Sequence, residues 1–218
     1  MTRQARLLAL TILLAPGLVA QRPADARLAG RVPASLAAAV TALLDSAAAL
    51  GLPGTPLVDK TLEGVAKGAP AERILVAVRT VFGHLDQAAA VLAETGNASA
   101  DAVEAGEFAM AAGLSASDIA EIARTADRTH PAVTALQVAG TLRALGVPRA
   151  ETVALVLATI RSGRPVGELA RLPGQVQAAM AGGVPPAAAA AGLERAAAAH
   201  LAPQLRRQGQ GQGNPHKP

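Results

Sequence analysis

Residues 146–165 read GVPRAETVALVLATIRSGRP. The segment between Gly146-Val-Pro148 and Gly163-Arg-Pro165 is rich in apolar and helix-forming residues, and its β-branched residues do not alternate as a strand requires. Glycine readily takes the left-handed conformation that ends a helix. The residue after it can fold back on the last turn, and proline fits the first turn of the next helix, where its missing N–H costs nothing. The same punctuation recurs at Gly51-Leu-Pro53, Gly68-Ala-Pro70, Gly113-Leu-Ser115 and Gly183-Val-Pro185, with serine as the cap in the third. Each triplet ends one helix and starts another. The expected fold is all-α: short antiparallel helices joined by Gly-x-Pro or Gly-x-Ser turns, as a bundle or an irregular helical-repeat array.

Working outward from these stops, the spacing predicts helices over 34–50, 56–67, 70–94, 100–112, 116–128, 131–145, 148–162, 165–172, 174–181 and 186–201. In the longest, Ile74, Val78, Val81, Leu85, Ala88 and Leu92 form one apolar stripe at spacings of three and four. Ser115 and Asp118 make a capping box in front of Ile119 and Ile122. Gly51–Gly68, Gly96–Gly113 and Gly146–Gly163 are each 17 residues apart. Aligned on these starts, Val58, Val103 and Val153 coincide, as do Val65, Met110 and Ile160, and then Ile74, Ile119 and Leu169. Such a period suggests a degenerate helical repeat; chance among similar glycine-capped helices is the other reading.

The ends differ from the body. Met1–Arg6 holds two arginines and no acid, Leu7–Ala20 is apolar or neutral but broken by Pro16-Gly17, and Ala24-Asp25-Ala26 offers a small-residue cleavage site. This is the pattern of a secretory signal peptide over residues 1–26, with cleavage after Ala26 or after Ala20. The expected location is periplasmic or secreted, with no transmembrane segment in the mature chain. Residues 203–218, alternating glycine and glutamine, are expected to be a disordered tail because they bury too little to offset their ordering entropy.

Of the chain's 218 residues 55 are alanine; it has no Cys, Trp or Tyr and only two Phe. That excludes disulfides, thiolate metal sites and a cysteine nucleophile, and leaves no aromatic platform for single-stranded nucleic acid. The formal charge is +4. Arg3, Arg6, Arg22, Arg206, Arg207 and Lys217 lie outside residues 27–202, which leaves 14 of the 20 basic residues there against 15 of the 16 acids, Asp25 being excluded. The body is not basic, so no nucleic-acid partner is expected. Arginine exceeds lysine by 17 to 3, which with the alanine content points to a GC-rich bacterial genome.

No motif of known chemistry stands out. His84, His130, His200 and His216 include no pair at i, i+3 or i+4, so no metal site is expected. Glu104/Glu107 and Asp118/Glu121 are i, i+3 acid pairs, read as acids stabilised near helix N-termini. Ser46, Ser99, Ser115 and Ser117 have no histidine nearby in sequence, and Ser99 reads as a helix N-cap. Asp59, Lys60, Glu63, Lys67, Glu72 and Arg73 form the densest polar patch, readable as a solvated face or a recognition surface.

The stretch Leu52–Ile74 and the ending Asn214-Pro-His-Lys-Pro218 resemble segments of uncharacterised exported alanine-rich proteins of GC-rich bacteria. The resemblance implies an exported helical protein and brings no activity. The leading expectation is a non-enzymatic interaction scaffold with a protein partner in the cell envelope and no cofactor. The alternatives are a carrier of a small apolar ligand, or a hydrolase whose site assembles from Glu63, Glu72, His84 and His130. A closed apolar cavity favours the carrier, a concave polar face the scaffold, and a His–acid pair in a cleft the enzyme.

Overall fold

Ile74, Val78, Val81, Leu85, Ala88 and Leu92 are the buried residues of a single helix, Ala71–Glu94, so the stripe read from the sequence is the face that meets the core. The computed structural model describes residues 27–210, with side chains through His200. Among the described residues there are nine helices and no strand: α1 (Ala34–Ala49), α2 (Thr55–Ala66), α3 (Ala71–Glu94), α4 (Ala100–Ala111), α5 (Ala116–Thr125), α6 (Ala132–Ala144), α7 (Arg149–Arg161), α8 (Val166–Ala181) and α9 (Pro186–Gln210). The chain is all-α.

Among the described residues every positive φ belongs to a glycine: those of the six triplets, with Gly30 and Gly96. Gly146 shows how the stop works. At φ 86° its N–H donates to the Arg143 carbonyl at 2.9 Å, and the Val147 N–H reaches back to the Leu142 carbonyl at 3.1 Å. This paired closure satisfies the last carbonyls of α6 and turns Val147 fully into the core.

The prolines correct the reading in one respect. Pro70, Pro131, Pro148 and Pro165 stand one position earlier than the first turn, as N-caps. Their carbonyls take the first helical hydrogen bond, as Pro148 does from the Thr152 N–H at 3.0 Å, and an N-cap needs no N–H of its own. Serine caps as expected: Ser115 and Asp118 form the full capping box, and Ser99 Oγ accepts from the Ala102 N–H.

Three boundaries also differ. α5 ends at Thr125, not 128, because Asp127 Oδ1 accepts from the Thr129 and His130 N–H groups and draws the chain into a turn. The helices expected at 165–172 and 174–181 are one helix, α8, with Pro173 inside it. Leu169, Leu172 and Val176 continue a buried stripe across the proline, and that burial outweighs the lost hydrogen bond. Pro173→Ala restores an N–H for the Leu169 carbonyl and is expected to stabilise the fold by about 1–2 kcal/mol, the helical gain exceeding the entropy lost from the unfolded chain. Urea denaturation measures it. Finally, α9 continues to Gln210, so helical backbone enters the segment read as a disordered tail; Gln, Leu and Arg are good helix formers and prolong the alanine run. Residues 211–218 of that tail, and the signal peptide read over 1–26, lie outside the described residues.

Helix packing follows chain order. Every helix packs on the next, and α1 on α3, α3 on α5, α4 on α6, α5 on α7, α6 on α8 and α7 on α9. This neighbour-by-neighbour pattern is compatible with a bundle and with a helical-repeat array. Of the three sets aligned by the 17-residue period, Val58, Val103 and Val153 are all buried, as are Ile74, Ile119 and Leu169; in the third, Met110 and Ile160 are buried but Val65 is only partly so. One next-but-one pair departs from the pattern: α2 and α4 share at most marginal packing. α3 is long and apolar enough, by length and composition, to cross a membrane; here its stripe is covered by α1, α2, α4 and α5.

Candidate functional site

Between α2, α3 and α4 lies a cleft of about 850 Å³, within the range of small-molecule sites. Each of three helices lends it one stripe. From α2 come Thr55, Pro56, Asp59, Lys60 and Glu63; from α3, Ala77, Thr80, Val81 and His84; from α4, Glu104, Glu107, Phe108 and Ala111. The α3 and α4 sets follow the i, i+3, i+4, i+7 spacing of a single helix face. Leu57, Val58 and Thr61 anchor α2 on its opposite side.

The charges divide into neutralised and unneutralised groups. Glu63 accepts from Lys60 Nζ at 3.0 Å and from Lys67 Nζ. Lys67 first and Lys60 second hold its carboxyl down at about 2. The pair is solvent-exposed, so its contribution to stability is small, of the order of a few tenths of a kcal/mol per contact. Asp59 pairs with Arg27 across the rim. Glu104 and Glu107 have no hydrogen-bond donor among the described residues. The nearest candidate is His84, whose Nδ1 lies 3.8 Å from Glu107 Oε1, beyond hydrogen-bond reach. That Nδ1 is buried and has no hydrogen-bond partner. Glu107 is only 9% exposed.

Burial raises the Glu107 carboxyl above the usual value; Lys60 opposes and Glu104 adds to the rise. Burial, then Asp101 and Asp59, raise Glu104 as well. The expectation that the helix N-terminus stabilises this pair therefore gives way to desolvation and like-charge repulsion. A carboxyl whose folded pKa is raised costs the fold nothing below its unfolded value and destabilises it as pH rises through the folded value. Glu107→Gln is therefore expected to raise Tm at pH 7 and to leave it unchanged near pH 3.5. Thermal unfolding at the two pH values checks this; a Tm difference independent of pH contradicts it.

Two other clefts are chemically occupied by the fold itself. A cleft of about 750 Å³ between α4, α6 and the loops before them is lined by Asn97, Ser99 and Asp127. There Asn97 Nδ2 donates to the Thr95 and Ala123 carbonyls, Ser99 caps α4, and Asp127 closes the turn before α6. The groove between α5 and α7 holds Asp118, Glu121, Arg149 and Arg161. Arg149 binds Asp118 at 2.6 Å and Arg161 faces Glu121 at 3.8 Å. Burial pushes Asp118 up, but hydrogen bonds from Arg149 and Ser115 outweigh it and hold the carboxyl below its usual value.

Of the residues set apart in the sequence, Asp59, Lys60, Glu63, His84, Glu104 and Glu107 meet in the α2–α4 cleft. Glu72 stays exposed in the first turn of α3. Lys67 and Arg73 flank an adjoining depression that shares Lys60, Glu63 and Ala77 with the cleft. His130 is fully buried beneath the α5–α6 turn, with neither ring nitrogen hydrogen-bonded. His200, read as part of a helix end, is inside α9, where Nε2 meets Arg164. Val81 and Phe108 are the largest apolar cleft residues, and no chemical motif marked them. Phe108 is 42% exposed at the rim; an exposed phenylalanine in a chain with two is the signal that was available. Among the described residues no group of three His, Asp or Glu is placed to hold a metal ion. No family model, curated protein or solved structure matches the chain.

Proposed function

We propose that the chain is an exported, non-enzymatic binding protein that acts as an interaction scaffold, with the cleft between α2, α3 and α4 as its recognition element. The supporting observation is that Glu104, Glu107 and the buried His84 Nδ1 gather in this cleft with no hydrogen-bond partner among the described residues, whereas Ser99 and Asp127 in one of the other two close a cap and a turn and Asp118 in the other is ion-paired. Unpaired buried polar groups are costly, and a partner that supplies the missing donors recovers that cost. Export rests on the basic start, short apolar run and Ala24-Asp25-Ala26 site; N-terminal sequencing of the processed protein tests it.

A photo-crosslinking residue placed at Ala111, in the cleft, and at Arg195, on exposed α9, tests the recognition element in the envelope of the source cell. A discrete protein adduct from position 111, absent from position 195 and lost in a Glu104→Gln/Glu107→Gln background, is expected. No adduct at 111, or the same adduct from both positions, contradicts it.

The hydrolase reading keeps one observation in its favour, the His84–Glu107 pair in an open cleft, since acid–base pairs in empty sites are often looser than when substrate is bound. Turnover of chromogenic esters that is lost on His84→Ala would favour it. Of its four proposed residues only Glu63 and His84 share the cleft.

A further inference from the structure

We propose that the α2–α4 cleft takes an aliphatic cation: an ammonium or guanidinium head against Glu104 and Glu107, with its alkyl stem along Val81 and Phe108. The inference rests on the reading of this cleft as the recognition element. Glu107, whose side chain is only 12% exposed, lines the cleft with no hydrogen-bond donor among the described residues. A carboxylate this little exposed gains from a cation that meets it. Next to it, His84 Nδ1 is a second buried atom without a hydrogen-bond partner. In the neutral ring protonated at Nε2, it accepts one of the head group's N–H bonds.

The cations already present meet these acids only in part: Lys60 lowers Glu107 without overcoming its burial. Lys60 is committed to Glu63 at 3.0 Å, and Arg27 to Asp59. The Arg27–Asp59 pair itself shows a guanidinium seated on an acid of the rim. The apolar side suits a stem: Val81 is nearly buried, and the partly exposed Phe108 ring offers a face to which cations are attracted. An anionic head would meet Glu104, Glu107 and Asp59 together. Both Glu104 and Glu107 are raised by burial, so a bound cation favours their ionised forms and binding should strengthen from pH 5 to pH 7.5.

The ¹⁵N-labelled chain is titrated with cadaverine, agmatine and N-acetyl-lysine amide, and with pentanol and valerate as neutral and anionic controls. The expected result is saturable shifts of the Thr80, His84, Glu104 and Glu107 amides with the cations only. Affinity should fall roughly tenfold or more in Glu107→Gln, an isosteric change that leaves the rest of the spectrum dispersed. A stronger response to N-acetyl-lysine amide assigns the cation to a partner protein's side chain, and a stronger response to cadaverine or agmatine to a free amine. Equal shifts with pentanol or valerate, no saturable shift with any cation, or unchanged affinity in Glu107→Gln overturns the proposal. If crosslinking at Ala111 succeeds while every cation fails, the cation is wrong and the cleft remains the recognition element.

Discussion

Gly140→Val should lower the stability of the fold by about 3 kcal/mol, which for a domain of this size corresponds to a Tm decrease of roughly 6–12 °C. α4 and α6 meet at Gly140, where an added Cβ would stand 2.5 Å from the Phe108 Cδ1 and 3.3 Å from the Ala109 Cα. The first obstacle is the ring of a partly exposed side chain, which can swing away. The second is backbone and cannot. Gly140→Ala, with one methyl, should therefore cost visibly less than valine, whose two further methyl groups have no space between the helices. Because Phe108 lines the cleft, the alanine variant should also weaken binding there while leaving most of the fold intact. Chemical denaturation of both variants measures the difference; equal and small effects would show that the α4–α6 contact is not tight.

Leu85→Ala should lose about 3 kcal/mol. Leu85 is fully buried on α3, next in sequence to His84, and α3 packs on α1, α2, α4 and α5. Truncation removes apolar burial and leaves a void that four packed helices cannot close. Val76→Ala on the same helix is the control, because Val76 is 60% exposed and its loss should be close to neutral. The ratio of the two effects, read from urea midpoints at constant m-value, tests whether the α3 stripe is the core face.

What was legible in the sequence is what local physics decides. The stops at Gly51, Gly68, Gly113, Gly146, Gly163 and Gly183 are backbone conformations only glycine adopts freely, and all six glycines have positive φ. The α3 stripe and the Ser115–Asp118 box need only residues within one or two turns. What failed depends on distant parts of the chain. Pro173 and Gly174 look like a break, yet Leu169, Leu172 and Val176 are buried on both sides of them, and that burial keeps α8 whole. The cleft is of the same kind. Its acids, Lys60 and His84 stood out separately as a polar patch, an i, i+3 pair and an isolated histidine. Nothing within any one helix says that a cleft lies between α2, α3 and α4. The Glu107 environment was misread for that reason: its spacing from Glu104 belongs to α4, but its burial comes from the helices around it.

The account turns on two carboxyls gathered without a hydrogen-bond donor into the cleft between α2, α3 and α4. A ¹³C-detected pH titration of the side-chain carboxyl carbons of Glu104 and Glu107 in the ligand-free chain tests this most directly. The account predicts both midpoints above the ordinary glutamate value of 4.5, with the Glu107 midpoint falling when Glu104 is replaced by glutamine. Midpoints at or below 4.5, unaffected by that replacement, would mean that the two acids are solvated or already paired, and would contradict the cleft as described.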